Sequence, residues 1–145
     1  MTLTIVGLGP GSVDDLTRRA WHALEAAKKV FLQTRNLPWV DDLPNAANYH
    51  DLGDLVDVDA IAGRLLEAAQ SGDVVYAVPG DPIMDDRVTR QLLAHSGDTD
   101  IKIVQGVSLV GATLQQVGDT SQDGLQLLDG PMLATMYHPP INPQF

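Results

Sequence analysis

At 145 residues and 44% hydrophobic content, the chain is the size of one domain with a real core, and it is too apolar to be mainly disordered. Nineteen acidic residues against nine basic ones give a formal charge of −10, with no Lys or Arg after Lys102 and no visible basic patch. Such a field argues against a nucleic-acid partner and disfavours a heavily anionic ligand. The chain has no cysteine, hence no disulfide framework and no thiolate metal site. No basic region precedes an apolar run at Met1-Thr2-Leu3-Thr4, and no apolar stretch reaches the length of a membrane span, so a cytoplasmic protein without membrane contact is expected.

Short β-branched runs alternate with longer amphipathic ones, the pattern of an α/β fold with an open, mostly parallel sheet flanked by helices. Leu3 to Leu8 reads as a strand running into a glycine turn. Asp14 or Asp15 is placed to cap a helix carrying Leu16, Ala20, Leu24, Ala27 and Phe31 on one face, with a second strand beginning between Val30 and Gln33. Residues 35 to 58 are irregular, with a short strand within Ala47 to Leu52. Asp57 or Asp59 caps a helix that turns Ile61, Leu65, Leu66 and Ala69 inward and stops at Ser71-Gly72. Asp73 to Val78 is the clearest buried strand and leads into Pro79-Gly80-Asp81-Pro82. A helix over Met84 to Ala94, a strand over Ile101 to Val104, a turn at Gln105-Gly106 and a helix over Val107 to Val117 follow. Gly124 to Leu128 reads as a further strand. His138-Pro139-Pro140-Ile141-Asn142-Pro143 reads as an extended connector, which suggests an excised or truncated piece of a longer protein.

The turn Gly7-Leu8-Gly9-Pro10-Gly11-Ser12 imitates a dinucleotide-binding loop without its chemistry. That loop needs glycines at the first, third and sixth places, whereas here they stand at the first, third and fifth. Pro10 also removes a backbone N–H from a loop that would have to hold a pyrophosphate. A Rossmann domain is the rival reading; it wants an acid at the end of the second strand, where this chain has Thr34-Arg35, which at best permits NADP. Asp81 at a strand end offers acceptors to hydroxyl or ammonium groups, and Gly80 and Gly106 let a bulky ligand approach the backbone.

Three stretches fall at strand ends: "VGLGPG" near the start, "AVPGDP" in mid-chain and "VQGVSL" before a helix. In this order and spacing they resemble the tetrapyrrole (corrin/porphyrin) methylase family of S-adenosylmethionine-dependent enzymes. "GLQLLDG" and "HPPINP" look most like the branch in which such a module precedes a MazG-type nucleotide pyrophosphohydrolase. The resemblance covers nearly the whole chain. It implies a two-domain fold with the donor folded into the cleft, residues 1–118 forming the donor-binding domain and 119–145 the first strand and connector of a largely missing second one. Carried over by position, Pro10 lines the adenosine side, Gly80 and Asp81 sit by the methionine and ribose portions, Met84 packs on the ligand, and Ser108 and Leu109 contact it from the third loop. The cofactor implied is S-adenosylmethionine, the acceptor is tetrapyrrole-like, and the assembly is a homodimer. Members of the MazG-associated branch often have His where Asp81 stands, which leaves the subfamily and its acceptor open.

Each of these residues also has a plain structural reading: a tight βα turn for the glycines, a turn and helix cap for Asp81-Pro82, an N-cap for Ser108. His22 reads as solvated, Trp21 and Trp39 as packing residues, and Asp41-Asp42 and Asp85-Asp86 as solvated faces or caps. His50, His95 and His138 lack ligand spacing, so no metal is expected, and no acid–base constellation names a catalytic residue. The acidic helices of a MazG-type hydrolase are absent, so that activity is not expected of this chain. A chain that ends before the second domain is expected to bind the donor weakly and to transfer no methyl group. A non-catalytic regulatory or oligomerisation domain beside such a hydrolase is the remaining alternative.

Overall fold

A computed structural model describes residues 1–33, 37–53 and 57–141. Thr34-Arg35 and the last residues of the proline-rich segment, Asn142 to Phe145, lie outside the described residues. Five strands, β1 (Thr2–Gly7), β2 (Val30–Leu32), β3 (Tyr49–Asp51), β4 (Val74–Val78) and β5 (Asp100–Val104), form one sheet in the order β3-β2-β4-β1-β5. Every pairing is parallel, with Ile5 opposite Tyr76 on one side and Ile103 on the other. The expected open parallel sheet is therefore present.

Helix α1 (Arg18–Glu25) joins β1 to β2 and moves the chain one way along the sheet, whereas α2 (Val58–Gln70) and α3 (Arg87–Ala94) bring it back. Right-handed crossovers in opposite directions put their helices on opposite faces, and the core divides accordingly. Leu3, Ile5, Tyr76 and Val78 pack with Ile61, Leu65 and Leu92 of α2 and α3. Val6, Leu8, Val75 and Ala77 pack with Ala20 and Leu24 of α1 and with Val40 and Leu43 of the irregular segment. The alternation along β4, Val74-Tyr76-Val78 to one face and Val75-Ala77 to the other, is the period of two that a doubly covered strand produces.

Several boundaries differ from expectation for local reasons. Neither Asp14 nor Asp15 caps α1; Ser12 and Asp15 close a capping box on a single 3₁₀ turn, Val13–Asp15, and the chain then extends at Leu16. Thr17 is the cap, its hydroxyl accepting from the Ala20 N–H at 3.1 Å. Phe31 is not on a helix face but in β2, packed on the α2 side. Asp57 rather than Asp59 caps α2, which stops at Ser71-Gly72 as read. Helix α3 begins at Arg87, not Met84, because Asp86 accepts from the Thr89 N–H and sets the first turn there. Helix α4 (Leu109–Val117) likewise starts two residues after Val107.

The chain divides into two compact units, Met1–Ala112 and Thr113–Phe145, within α4. The second unit holds the end of α4 and the short α5 (Gly130–Ala134), capped by Asp129. Gly124 to Leu128 form no strand, since no ladder is there to take up their backbone groups. Nor is the segment after α5 uniformly extended: the Ile141 N–H bonds the Pro139 carbonyl at 2.8 Å, a tight turn. No helix among the described residues is long and apolar enough to cross a membrane.

Candidate functional site

Ligands of open α/β sheets bind beyond the strands' carboxyl ends, where neighbouring strands send their connections opposite ways. In this sheet the pair is β4 and β1, and β5 flanks β1. The loops after β1, β4 and β5 are thus side by side. Gly9 and Gly80 form an isolated bridge, with the Gly80 N–H on the Gly9 carbonyl at 2.9 Å and the Gly9 N–H on the Gly80 carbonyl at 3.2 Å. Gly80 has φ +72°, a left-handed conformation that Gly adopts without strain. At Gly7 a Cβ would lie 2.6 Å from both the Gly80 carbonyl oxygen and the Gly106 nitrogen, so the three main chains meet too closely for any side chain.

Three carboxylates hold this junction. Asp15 accepts the Gly11 and Ser12 N–H groups on one oxygen, at 3.0 and 3.1 Å. Asp81, only 5% exposed, accepts from Ile83 and Met84 on Oδ1 (2.9 and 3.1 Å) and from Gly106 on Oδ2 (3.1 Å). Asp85 accepts from the N–H groups of Asp81 and Leu109 on Oδ2 (2.7 and 2.9 Å) and from the Ser108 hydroxyl on Oδ1 (3.2 Å). Each loop donates N–H groups that could have met an anion to an aspartate of its own chain: Gly11 and Ser12 of the first, Asp81, Ile83 and Met84 of the second, and Gly106 of the third. That arrangement is the reverse of a phosphate-binding loop, whose free amides are its binding groups.

Five of the six residues singled out from sequence belong to these loops, and the sixth, Leu109, opens α4 directly after the third. Gly80 and Asp81 are buried, Pro10 and Ser108 are half-buried, and Met84 and Leu109 are exposed by 53% and 40%. Met84 precedes α3, in a turn closed by the Asp85 N–H on the Asp81 carbonyl at 2.8 Å. A hollow of about 420 Å³ lies beside the junction, lined by Thr17, Arg19, Ile83, Ile103, Val104 and Gln105, neighbours of the six rather than the six themselves. Thr17 also donates to the Gln105 carbonyl at 3.3 Å, tying the start of α1 to the end of β5.

Asp85 and Asp15 are the residues of the candidate site that sequence reasoning missed, both of them bracing the loops. Asp86 is a cap, as one reading of the pair had it. Its Oδ1 also takes the Tyr76 hydroxyl at 3.4 Å, and burial, together with the Asp86 charge, pushes the Tyr76 phenol well above its ordinary range. Asp85, by contrast, is half-buried and neither a solvated face nor the cap of the helix that follows it. The one signal for it is its offset: a carboxylate four residues past Asp81 can fold back on the Asp81 N–H as Asp15, four residues past Gly11, folds back on the Gly11 N–H. Trp39 packs on the α1 side of the core, while Trp21 and His22 are exposed. Among the described residues no group of three or more His, Cys, Asp or Glu could hold a metal ion.

Known proteins were compared with this chain. The model of the Tetrapyrrole (Corrin/Porphyrin) Methylases matches residues 2–124. The uncharacterized protein YabN of Bacillus subtilis (strain 168) is 31% identical over 144 residues, 91% of this chain and 29% of that protein. A diphthine synthase of Methanospirillum hungatei JF-1 is 28% identical over 116 residues, 76% of this chain and 46% of its own length. The crystal structure of uroporphyrin-III-C-methyltransferase from Thermus thermophilus matches with TM-score 0.67 and 29% identity, covering 81% of this chain and 52% of that one. A structure of the Thermus transferase complexed with S-adenosylhomocysteine shares the fold, with TM-score 0.61 and 24% identity over 78% of this chain and 48% of that one. The chain spans at most about half the length of these relatives. With the matched region running from β1 through all three strand-end loops to the end of α4 and beyond, the chain belongs to the tetrapyrrole (corrin/porphyrin) methylase family.

Proposed function

We propose that this chain is the donor-binding half of an S-adenosylmethionine-dependent methyltransferase, with Pro10, Gly80, Asp81, Met84, Ser108 and Leu109 around the donor. The observation that carries this reading is the junction of three loops in which seven N–H groups, those of Gly11, Ser12, Asp81, Ile83, Met84, Gly106 and Leu109, are already taken by Asp15, Asp81 and Asp85. A pyrophosphate would meet carboxylates where it needs N–H donors. S-adenosylmethionine has no phosphate and carries a sulfonium and an ammonium, which those carboxylates favour. Exposed Met84 and Leu109 offer apolar surface to its adenosine. With three donors already on its carboxylate, Asp81 acts chiefly by shaping the loop. The donor supplies an already activated methyl group, so these residues need only bind, orient and exclude water.

On this reading the acceptor is tetrapyrrole-like and its pocket lies largely outside these residues, so the chain by itself transfers no methyl group. The same reading has the whole protein as a cytoplasmic homodimer, with a MazG-type module after the methylase module, as "GLQLLDG" and "HPPINP" suggest.

The test is a thermal-shift titration of the full-length protein with S-adenosylhomocysteine beside one with NADPH. A hundredfold excess over Kd adds about 2.7 kcal/mol, a rise of several degrees. NADPH is expected to give none. No shift with the homocysteine ligand at millimolar concentration, or a shift with NADPH alone, overturns the proposal.

A further inference from the structure

The third loop, Gln105 to Ser108, has no regular structure of its own and is suspended between two carboxylates of the second. Asp81 takes the Gly106 N–H at the start of the loop, and Asp85 takes the Ser108 hydroxyl and the Leu109 N–H at its end. Asp85 is itself fixed by a reciprocal pair: its N–H bonds the Asp81 carbonyl at 2.8 Å while its Oδ2 accepts the Asp81 N–H at 2.7 Å. Residues 81–85 thus form a closed ring that aims one carboxylate at the third loop. The Ser108 hydroxyl is held from both sides, donating to Asp85 and accepting from the Val110 N–H at 3.1 Å, which starts α4.

We infer that Asp85 is a positioning residue for the donor site, setting Ser108 and Leu109 against Gly80 and Asp81 without touching the ligand. The inference rests on the donor-binding reading above. Without Asp85, Ser108 loses its acceptor, the Leu109 and Asp81 N–H groups lose theirs, and the third loop is tied to the second through Gly106 alone among these bonds. Asp85→Ala removes all three. Asp85→Asn is nearly isosteric; its carbonyl oxygen can take both N–H groups while its NH₂ donates to the Ser108 oxygen, reversing that one bond.

The experiment measures S-adenosylhomocysteine binding by calorimetry on the whole chain and on both variants, with melting temperature and amide hydrogen exchange at Leu109 recorded for each. The expected result is a loss of tenfold or more in affinity for Asp85→Ala, recovery to within about threefold for Asp85→Asn, and faster Leu109 exchange in the alanine variant only. Should the alanine variant fail to fold, Asp85→Ser, which is too short to bridge to Leu109, replaces it with the same expectation. Binding by the unaltered chain with Asp85→Ala, or its Ser replacement, within twofold of it overturns the positioning role and leaves the proposed function standing. Absence of binding by the unaltered chain overturns both, and Leu109 exchange then reports only whether the tether exists.

Discussion

Met1–Ala112 and Thr113–Phe145 use similar apolar residues to opposite effect. In the first unit Leu3, Ile5, Leu24 and Leu65 are wholly buried, because a five-stranded sheet offers two faces and helices cover both. In the second unit no described residue is buried, and Leu125, Leu127 and Ile141 stand 44%, 51% and 57% exposed. The difference teaches that apolar content makes a core only where an element presents its apolar face to a partner layer, as the backbone ladder does in the first unit. In residues 113–141 no such ladder exists. The same contrast reaches the polar groups: aspartates of the first unit tie loops together, whereas Asp129 of the second caps a short helix.

The sharpest way to break this comparison is a pair of leucine truncations. Leu65→Ala opens a cavity in the α2 core and is expected to cost about 2–5 kcal/mol in denaturant unfolding, while Leu127→Ala stays within about 0.5 kcal/mol. Equal losses would mean that both units carry the stability. Next in size is Gly7→Ala, whose methyl has no room between Gly80 and Gly106. It is expected to cost about 1–3 kcal/mol and to abolish the S-adenosylhomocysteine shift, whereas full stability with full binding would show that the loops need not meet so closely. The smallest effect separates the caps. Asp57→Ala should lower global stability by about 1 kcal/mol, since α2 is packed on the sheet. Asp129→Ala should fray α5, seen as lost amide protection at Met132, and leave the melting temperature unchanged.

Much of this was legible in the sequence. The apolar runs at Leu3 to Leu8 and Asp73 to Val78 are strands because buried parallel strands read as continuous hydrophobic stretches. The three loops that meet beyond β1, β4 and β5 were legible from their glycines and prolines at strand ends. Less legible were features decided by side chains reaching back along the chain. Helix α1 starts at Thr17 because Ser12 and Asp15 had already closed a separate turn, a competition between caps that spacing does not rank. The roles of Asp15 and Asp85 depend on which N–H groups the folded loops leave pointing inward, and no periodicity encodes that. Gly124 to Leu128 has strand composition without a strand's neighbours, the one requirement a local pattern cannot express.

The order β3-β2-β4-β1-β5 has a consequence for the nascent chain. Among the five described strands, the first in chain order is paired only with the last two. At about 5–20 residues per second, the ribosome leaves Thr2 to Gly7 unpaired for several seconds while Val74 to Val78 is still unmade, and longer before Asp100 to Val104 arrives. An apolar segment waiting that long is a target for chaperones and for mispairing, so the junction of the loops after β1, β4 and β5 is among the last parts of the first unit to be assembled.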